Sequence, residues 1–204
     1  IQLISVSYPF CETFFENVRV PASNLMGRLN EGWSIAKRLL QHERTMISGF
    51  GLTSGQGDRG GTTSTTASLE GAAMHYRGDK DRLSDPALRD QIAQFKIDSE
   101  AFALTSQRSS EESKQGGPTA TSSMLKYYGC ELNKRRYELL LKAMGSQGLG
   151  WDGDEFEEEE LQVTREWLRS KANSIEGGTA EVQLNIVAKR VLGLPDMLSL
   201  INKK

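Results

Sequence analysis

Residues Thr121 to Met144 read TSSMLKYYGCELNKRRYELLLKAM. Leu125, Leu132 and Leu139 recur seven residues apart, which places all three on one side of a helix. Gly116-Gly117-Pro118 precedes the stretch and Gly145-Ser-Gln-Gly-Leu-Gly150 follows it. Both are helix-stopping segments. A seven-residue apolar step also suits a coiled coil, but glycine-rich breaks at both ends favour a bundle of separate helices.

The same pattern extends outward in both directions. Ser84-Asp85-Pro86 is a helix start, with a capping side chain ahead of a first-turn proline. Leu88, Ile92, Phe95, Phe102 and Leu104 carry an apolar face from there to about Glu112. A short helix is expected around Ala67–Arg77. After Asn30-Glu31-Gly32, the stripe Trp33, Ala36, Leu40, Ile47 and Phe50 predicts another helix. Between these two, residues 51–66 read GLTSGQGDRGGTTSTT, a low-complexity loop composition. Downstream, helices are expected around Leu161–Lys171 and Thr179–Leu192.

Ile1–Val20 differs in kind. Its β-branched and aromatic residues fit one or two strands ended by Pro21, with an irregular tail as the alternative. Two strands need further partners to be stable. The fold class expected is all-α, an antiparallel helical bundle with a short N-terminal β remnant. The division expected is residues 1–30 as the end of a β domain and linker, and 31–204 as the bundle.

The chain has 204 residues, 37% hydrophobic and 25% charged, with 25 basic against 27 acidic residues and a net charge of −2. No basic excess exists to neutralise a nucleic-acid backbone. No apolar run is long enough for a membrane helix. Cys11 and Cys130 form no disulfide framework and suit a reducing compartment. With His42 and His75 they give no zinc-ligand spacing. The chain starts at Ile1 without a leader pattern. It reads as a piece of a longer protein.

Three segments could carry chemistry. Glu43 falls in the apolar stripe of its helix. A carboxylate on a buried face has its charged form destabilised, which suits a general base. The same position also suits a stripe-edge glutamate paired with Arg44 or Arg38. In Ser174-Ile-Glu-Gly-Gly-Thr-Ala-Glu-Val-Gln183, Thr179 is a natural N-cap and Glu181 suits the positive helix end. The glycines permit close approach of a ligand, and free amides there attract phosphates. An ordinary loop-to-helix junction has the same spacing. Gly145-Ser146-Gln147-Gly148 follows no strand and reads by itself as a helix end and turn. The acidic run Asp152–Glu160 lacks the glycine of a calcium loop and reads as a solvated face. Cys130 and His42 read as packing or surface residues.

Together these segments resemble the acyl-CoA dehydrogenase family. Phe15-Glu-Asn-Val-Arg-Val-Pro-Ala-Ser-Asn-Leu-Met-Gly27 with Asn30-Glu-Gly-Trp33 is similar to the family's exit from its β domain into its C-terminal domain. Leu40-Gln-His-Glu-Arg44 resembles a stretch of the first helix there. Ile175-Glu-Gly-Gly-Thr-Ala-Glu-Val-Gln183 and Ile186-Val-Ala-Lys-Arg-Val-Leu-Gly193 resemble the last functional loop and helix. The match covers nearly the whole chain, and only the C-terminal half of the family's usual length.

The resemblance implies an FAD enzyme that introduces an α,β-double bond into an acyl-CoA thioester. A carboxylate takes the α-proton, and an electron-transfer flavoprotein or similar acceptor takes the electrons. Many members carry the base just before the Gly-Thr of the last loop. Gly177 stands there in this chain, with Glu176 one residue earlier. A second branch, typified by isovaleryl- and long-chain-acyl-CoA dehydrogenases, carries the base on the first C-terminal helix just before an arginine. Glu43-Arg44 matches that pattern. The resemblance thus implies Glu43 as base, with Glu176 as the second choice. It implies flavin contacts at Gly145 and Ser146, and at Gly177, Gly178, Thr179 and Glu181, largely across a subunit interface.

A homo- or hetero-oligomer in a bacterial cytoplasm or mitochondrial matrix follows from the same likeness. Residues 1–204 alone are expected to be inactive. Arg82-Leu-Ser-Asp85 departs from the family's flavin-contacting Arg-x-x-Phe-Gly, and residues 51–66 depart from the usual helix. Two alternatives therefore accompany the dehydrogenase reading: a non-catalytic structural subunit of a heteromeric enzyme, and a flavin oxidase or monooxygenase on the same scaffold.

Overall fold

The leucine spacing of Thr121–Met144 is realised as one helix on which the other helices pack. The structure, a computed structural model, describes residues 1–50, 68–114 and 121–195. Its helices are α1 (Gly32–Phe50), α2 (Leu69–Arg77), α3 (Pro86–Lys114), α4 (Thr121–Met144), α5 (Glu158–Ser170) and α6 (Ala180–Ile186). Each of the other five touches α4. Between α2 and α3 lies a two-stranded antiparallel ladder, β1 (Gly78–Asp79) with β2 (Arg82–Leu83). The loop expected at residues 51–66 and the break at Gly116-Gly117-Pro118 lie outside the described residues.

Capping chemistry sets the helix starts. The Ser68 hydroxyl accepts from the Gly71 amide at 3.0 Å, and Asp85 Oδ1 accepts from the Leu88 amide at 2.9 Å. Each bond satisfies one of the amides that a helix start leaves without a partner. Glu157 and Glu160 form a reciprocal capping box at α5. Glu160 is buried, and its other oxygen accepts from the Tyr76 hydroxyl at 2.7 Å. The acidic run therefore ends in a structural carboxylate, whereas a solvated face was expected.

The core forms where α2, α3, α4 and α5 meet. Leu88, Leu140 and Ala143 are within 1% of complete burial, joined by Leu69, Ile92, Leu139 and Val163. Phe102, Leu125 and Leu132 form a second cluster bridged by Phe95. Each fully buried leucine stabilises the fold by roughly 1.5–3 kcal/mol relative to exposure. Leu104, expected on the apolar face of α3, is exposed. Ion pairs tie the helices at their surfaces, Arg135 to Asp98 at 2.6 Å and Lys96 to Glu70 at 2.8 Å.

Residues 1–31 carry no strand; one short 3₁₀ turn spans Ala22–Asn24. The strand-favouring side chains there, among them Phe14 and Phe15, are exposed. Strand propensity gives no strand without a neighbour to complete the ladder. The expected last helix is realised as α6 followed by a π turn over Val187–Val191.

Candidate functional site

The turn before α6 is built by residues of α4. After α5 the chain makes a 3₁₀ turn over Lys171–Ser174 and then reverses through Gly177 and Gly178. Both glycines are left-handed, with φ of 63° and 96°. A Cβ on Gly178 would stand 2.6 Å from Gln183 Nε2. Their carbonyls are both engaged: Gly177 O accepts from Gln183 Nε2 at 3.1 Å, and Gly178 O accepts from Lys126 Nζ at 2.8 Å. Lys126 Nζ also donates to Asn173 O at 3.0 Å. The Lys126 residue is 1% exposed, and Gln183 is completely buried. Gln183 Oε1 is buried without a partner among the described residues.

Thr179 caps α6 as expected, its hydroxyl accepting from the Val182 amide at 3.3 Å. The Glu181 carboxyl is held below the usual carboxylate range, first by its own backbone amide and then by the Thr179 hydroxyl. The positive end of α6 is thus partly neutralised by the chain itself. Its pull on a phosphate is weaker than the sequence suggested. Among the described residues, no hydrogen bond is found from the amides of Gly177 and Thr179, while Gly178 closes the turn that contains Gly177. A turn with its Gly177 and Gly178 carbonyls satisfied inward and the Gly177 and Thr179 amides unengaged could hold the polar edge of a cofactor such as a flavin.

Glu176 lies inside this network. It pairs with Arg169 at 2.8 Å and accepts a short hydrogen bond from Asn173 Nδ2. Both oxygens of the carboxylate are therefore engaged by neighbours. Asn133 Nδ2 reaches Asn173 Oδ1 at 2.9 Å, and Lys134 Nζ reaches Ser174 Oγ at 2.7 Å.

Gly145 and Ser146 open a 3₁₀ turn at the other end of α4. Gly145 has φ of 62°, and a Cβ there would meet the Arg77 guanidinium. Arg77 Nε donates to the Ala143 carbonyl at 3.0 Å, which caps the last turn of α4. Ser146 is exposed. Lys126 and Gly145 stand roughly 28 Å apart along a helix rising about 1.5 Å per residue. The two proposed cofactor-contacting segments therefore occupy opposite ends of α4, and one copy of the chain does not bring them together.

Glu43 lies in α1 and is exposed. No hydrogen bond or ion pair joins it to a described residue. Among the described side chains of its stripe the expected burial is not found: Trp33 is 71% exposed, Leu40 42%, and Ala36 is only half-buried. Ile35 and Ala36 are the half-buried positions among the described side chains of α1. A shallow hollow on this helix is lined by Met26, Ser34, Ile35, Arg38, Leu39 and His42. Burial pushes the Cys130 thiol up, as fits a packed residue, and His42 is exposed.

Lys126, Asn173, Arg169 and Gln183 were not singled out as site residues from sequence. No local signal marks Lys126: the position between it and the buried Leu140 at seven-residue spacing is Asn133, so the column does not read as apolar.

A family model described as "Acyl-CoA dehydrogenase, C-terminal domain" matches residues 30–192. The acyl-CoA dehydrogenase FadE34 of Mycobacterium tuberculosis is 28% identical over 187 residues, covering 91% of this chain and 23% of that protein. The acyl-CoA dehydrogenase IpdE1 of Mycolicibacterium smegmatis is 28% identical over 186 residues, covering 91% and 43%. A solved structure, the Tcur3481–Tcur3483 steroid ACAD, superposes with a TM-score of 0.68 at 23% identity, covering 89% of this chain and 44% of that one. The chain thus spans less than half the length of these relatives. With the helices, the glycine turn and the matched segment in agreement, the chain belongs to the acyl-CoA dehydrogenase family and carries its C-terminal domain.

Proposed function

We propose that the full-length protein is an FAD-dependent dehydrogenase of acyl-CoA thioesters with Glu43 as its base. The observation that carries the choice of residue is the engagement of the alternative: Arg169 and Asn173 hold both oxygens of Glu176. Glu43 has no such partner among the described residues and stays open to a ligand. In this reading the Glu43 carboxylate takes the α-proton of the thioester while the β-hydride leaves to an acceptor, and the Cα–Cβ bond becomes double. FAD, when bound, supplies that two-electron acceptor. Gly177, Gly178, Thr179 and Glu181 would hold it at one end of α4, and Gly145 and Ser146 of a second copy would contact it from the other. An electron-transfer flavoprotein or similar acceptor would take the electrons onward.

A water-exposed glutamate is a weak base toward a thioester α-proton. Glu43 therefore requires cover from the bound acyl chain and from parts of the protein beyond these residues. Trp33 and Leu40, exposed on the same helix, are apolar surface suited to that contact.

The second reading, a structural subunit of a heteromeric dehydrogenase, draws support from the Tcur3481–Tcur3483 likeness and from the mismatch at Arg82-Leu-Ser-Asp85. One experiment separates the two. The full-length protein purified alone is titrated anaerobically with straight-chain, branched and steroid-like acyl-CoAs. The dehydrogenase reading expects a flavin spectrum that bleaches with one of them. Absence of flavin until a paralogous subunit is co-expressed supports the structural-subunit reading. Oxygen consumption coupled to turnover marks an oxidase.

A further inference from the structure

We propose that Lys126 is a positioning residue that sets the geometry of the Gly177–Thr179 turn for cofactor binding. The proposal deepens the flavin reading above and rests on it. Lysine is almost never fully buried without a partner, yet Lys126 is 1% exposed. Among the described residues it pairs with no carboxylate. Its partners are two backbone carbonyls, Asn173 O at 3.0 Å and Gly178 O at 2.8 Å. These lie on either side of the reversal, so a single ammonium clips the two ends of one loop. Charge-assisted bonds to both carbonyls offset the cost of burying the cation.

The rest of the grip comes from the same helix and from the helix that follows. Asn133 and Lys134 hold Asn173 and Ser174 from α4, and Gln183 holds Gly177 O from α6. With the carbonyls of Gly177 and Gly178 both taken from within, the amides of Gly177 and Thr179 are the donors left for a ligand. An apolar residue at position 126 would pack at least as well, but it could not fix the direction of Gly178 O. The charge thus defines a loop conformation that packing alone leaves undefined.

The test uses the full-length protein carrying Lys126→Met, with Lys142→Met as the control. Lys142 is exposed on the same helix and, among the described residues, bonds Gln91. Three readings are taken: the affinity of the apoprotein for FAD, the fine structure of the bound flavin's visible band, and hydrogen exchange in the peptide spanning residues 172–183. The expected result for Lys126→Met is unchanged helicity, flavin affinity weakened by about tenfold or more, a blurred flavin band, and faster exchange confined to that peptide. Lys142→Met should match the parent in all three. Parent-like flavin affinity and exchange in Lys126→Met would overturn the proposal. If the variant does not fold, the parent decides. The amides of Ile175 and Glu176 must exchange as slowly as those of α4, and coil-like exchange there overturns the proposal. A parent that binds no flavin removes the flavin reading, while the exchange comparison still decides whether Lys126 fixes the turn.

Discussion

Arg169 donates to Glu176 across 2.8 Å, and this pair closes the segment between α5 and the glycine turn. It makes Glu176 a brace. Glu176→Gln in the full-length protein should therefore cost about 1 kcal/mol, the scale of a partly exposed ion pair. A thermal melt should show that loss, and the rate of flavin reduction by acyl-CoA should stay within about threefold of the parent. A rate loss of about a hundredfold or more would make Glu176 the base.

The second prediction concerns the core. Leu140 is 1% exposed and lies at the centre of the larger cluster. Leu140→Ala should destabilise the fold by about 2–5 kcal/mol. Leu104→Ala, on the exposed side of α3, should fall within about 0.5 kcal/mol of the parent. Urea denaturation followed by circular dichroism measures both. Equal losses would mean that α3 is turned differently against α4.

The helices were legible in the sequence because periodicity and caps are local. The column Leu125, Leu132, Leu139, the Asp85 start and the Thr179 cap are each realised by neighbours a few residues away. Burial was less legible because it depends on what lies opposite. Glu43 sits in an apolar stripe, yet Trp33 and Leu40 of that stripe are exposed and Ala36 is only half-buried. Ile1–Val20 has strand propensity but nothing beside it to complete a ladder. Glu160 looked like one more exposed acid, and Tyr76, far away in sequence, draws it inside. The glycine turn was found from its spacing. The cation that holds it was missed, because no local rule points from Lys126 to a carbonyl 52 residues away.

Gly178 supplies a third test. Its φ of 96° and the nearby Gln183 amide leave no room for a side chain. Gly178→Ala should cost about 1 kcal/mol or more through the left-handed backbone, with the displaced Gln183 adding to it. The variant should also bind flavin more weakly than the parent, measured by fluorescence of the released cofactor. Parent-like stability would mean that the turn can adopt another conformation.

A fourth prediction follows from Tyr76. Burial, and then the hydrogen bond to Glu160, push its phenol from 10.0 up to about 12. In the unfolded chain the phenol loses its proton near the ordinary value, while the folded protein keeps it longer. The stabilisation is therefore complete below about pH 10 and is lost as pH rises towards about 12. Tyrosinate absorbance should show one phenol titrating about two pH units late in the parent. Tyr76→Phe should remove that phase and flatten the alkaline slope of stability. A late phase that persists in Tyr76→Phe would assign it elsewhere, with Tyr137, also raised by burial, as the next choice.

The central claim is that Glu43 takes the α-proton. The most direct measurement is the rate of flavin reduction by a reactive acyl-CoA in the full-length protein carrying Glu43→Gln, followed by stopped flow. The substitution removes the base and keeps the shape of the side chain. The expected rate is about 10²–10⁴ lower, with flavin content unchanged. Reduction at the parent's rate would contradict it.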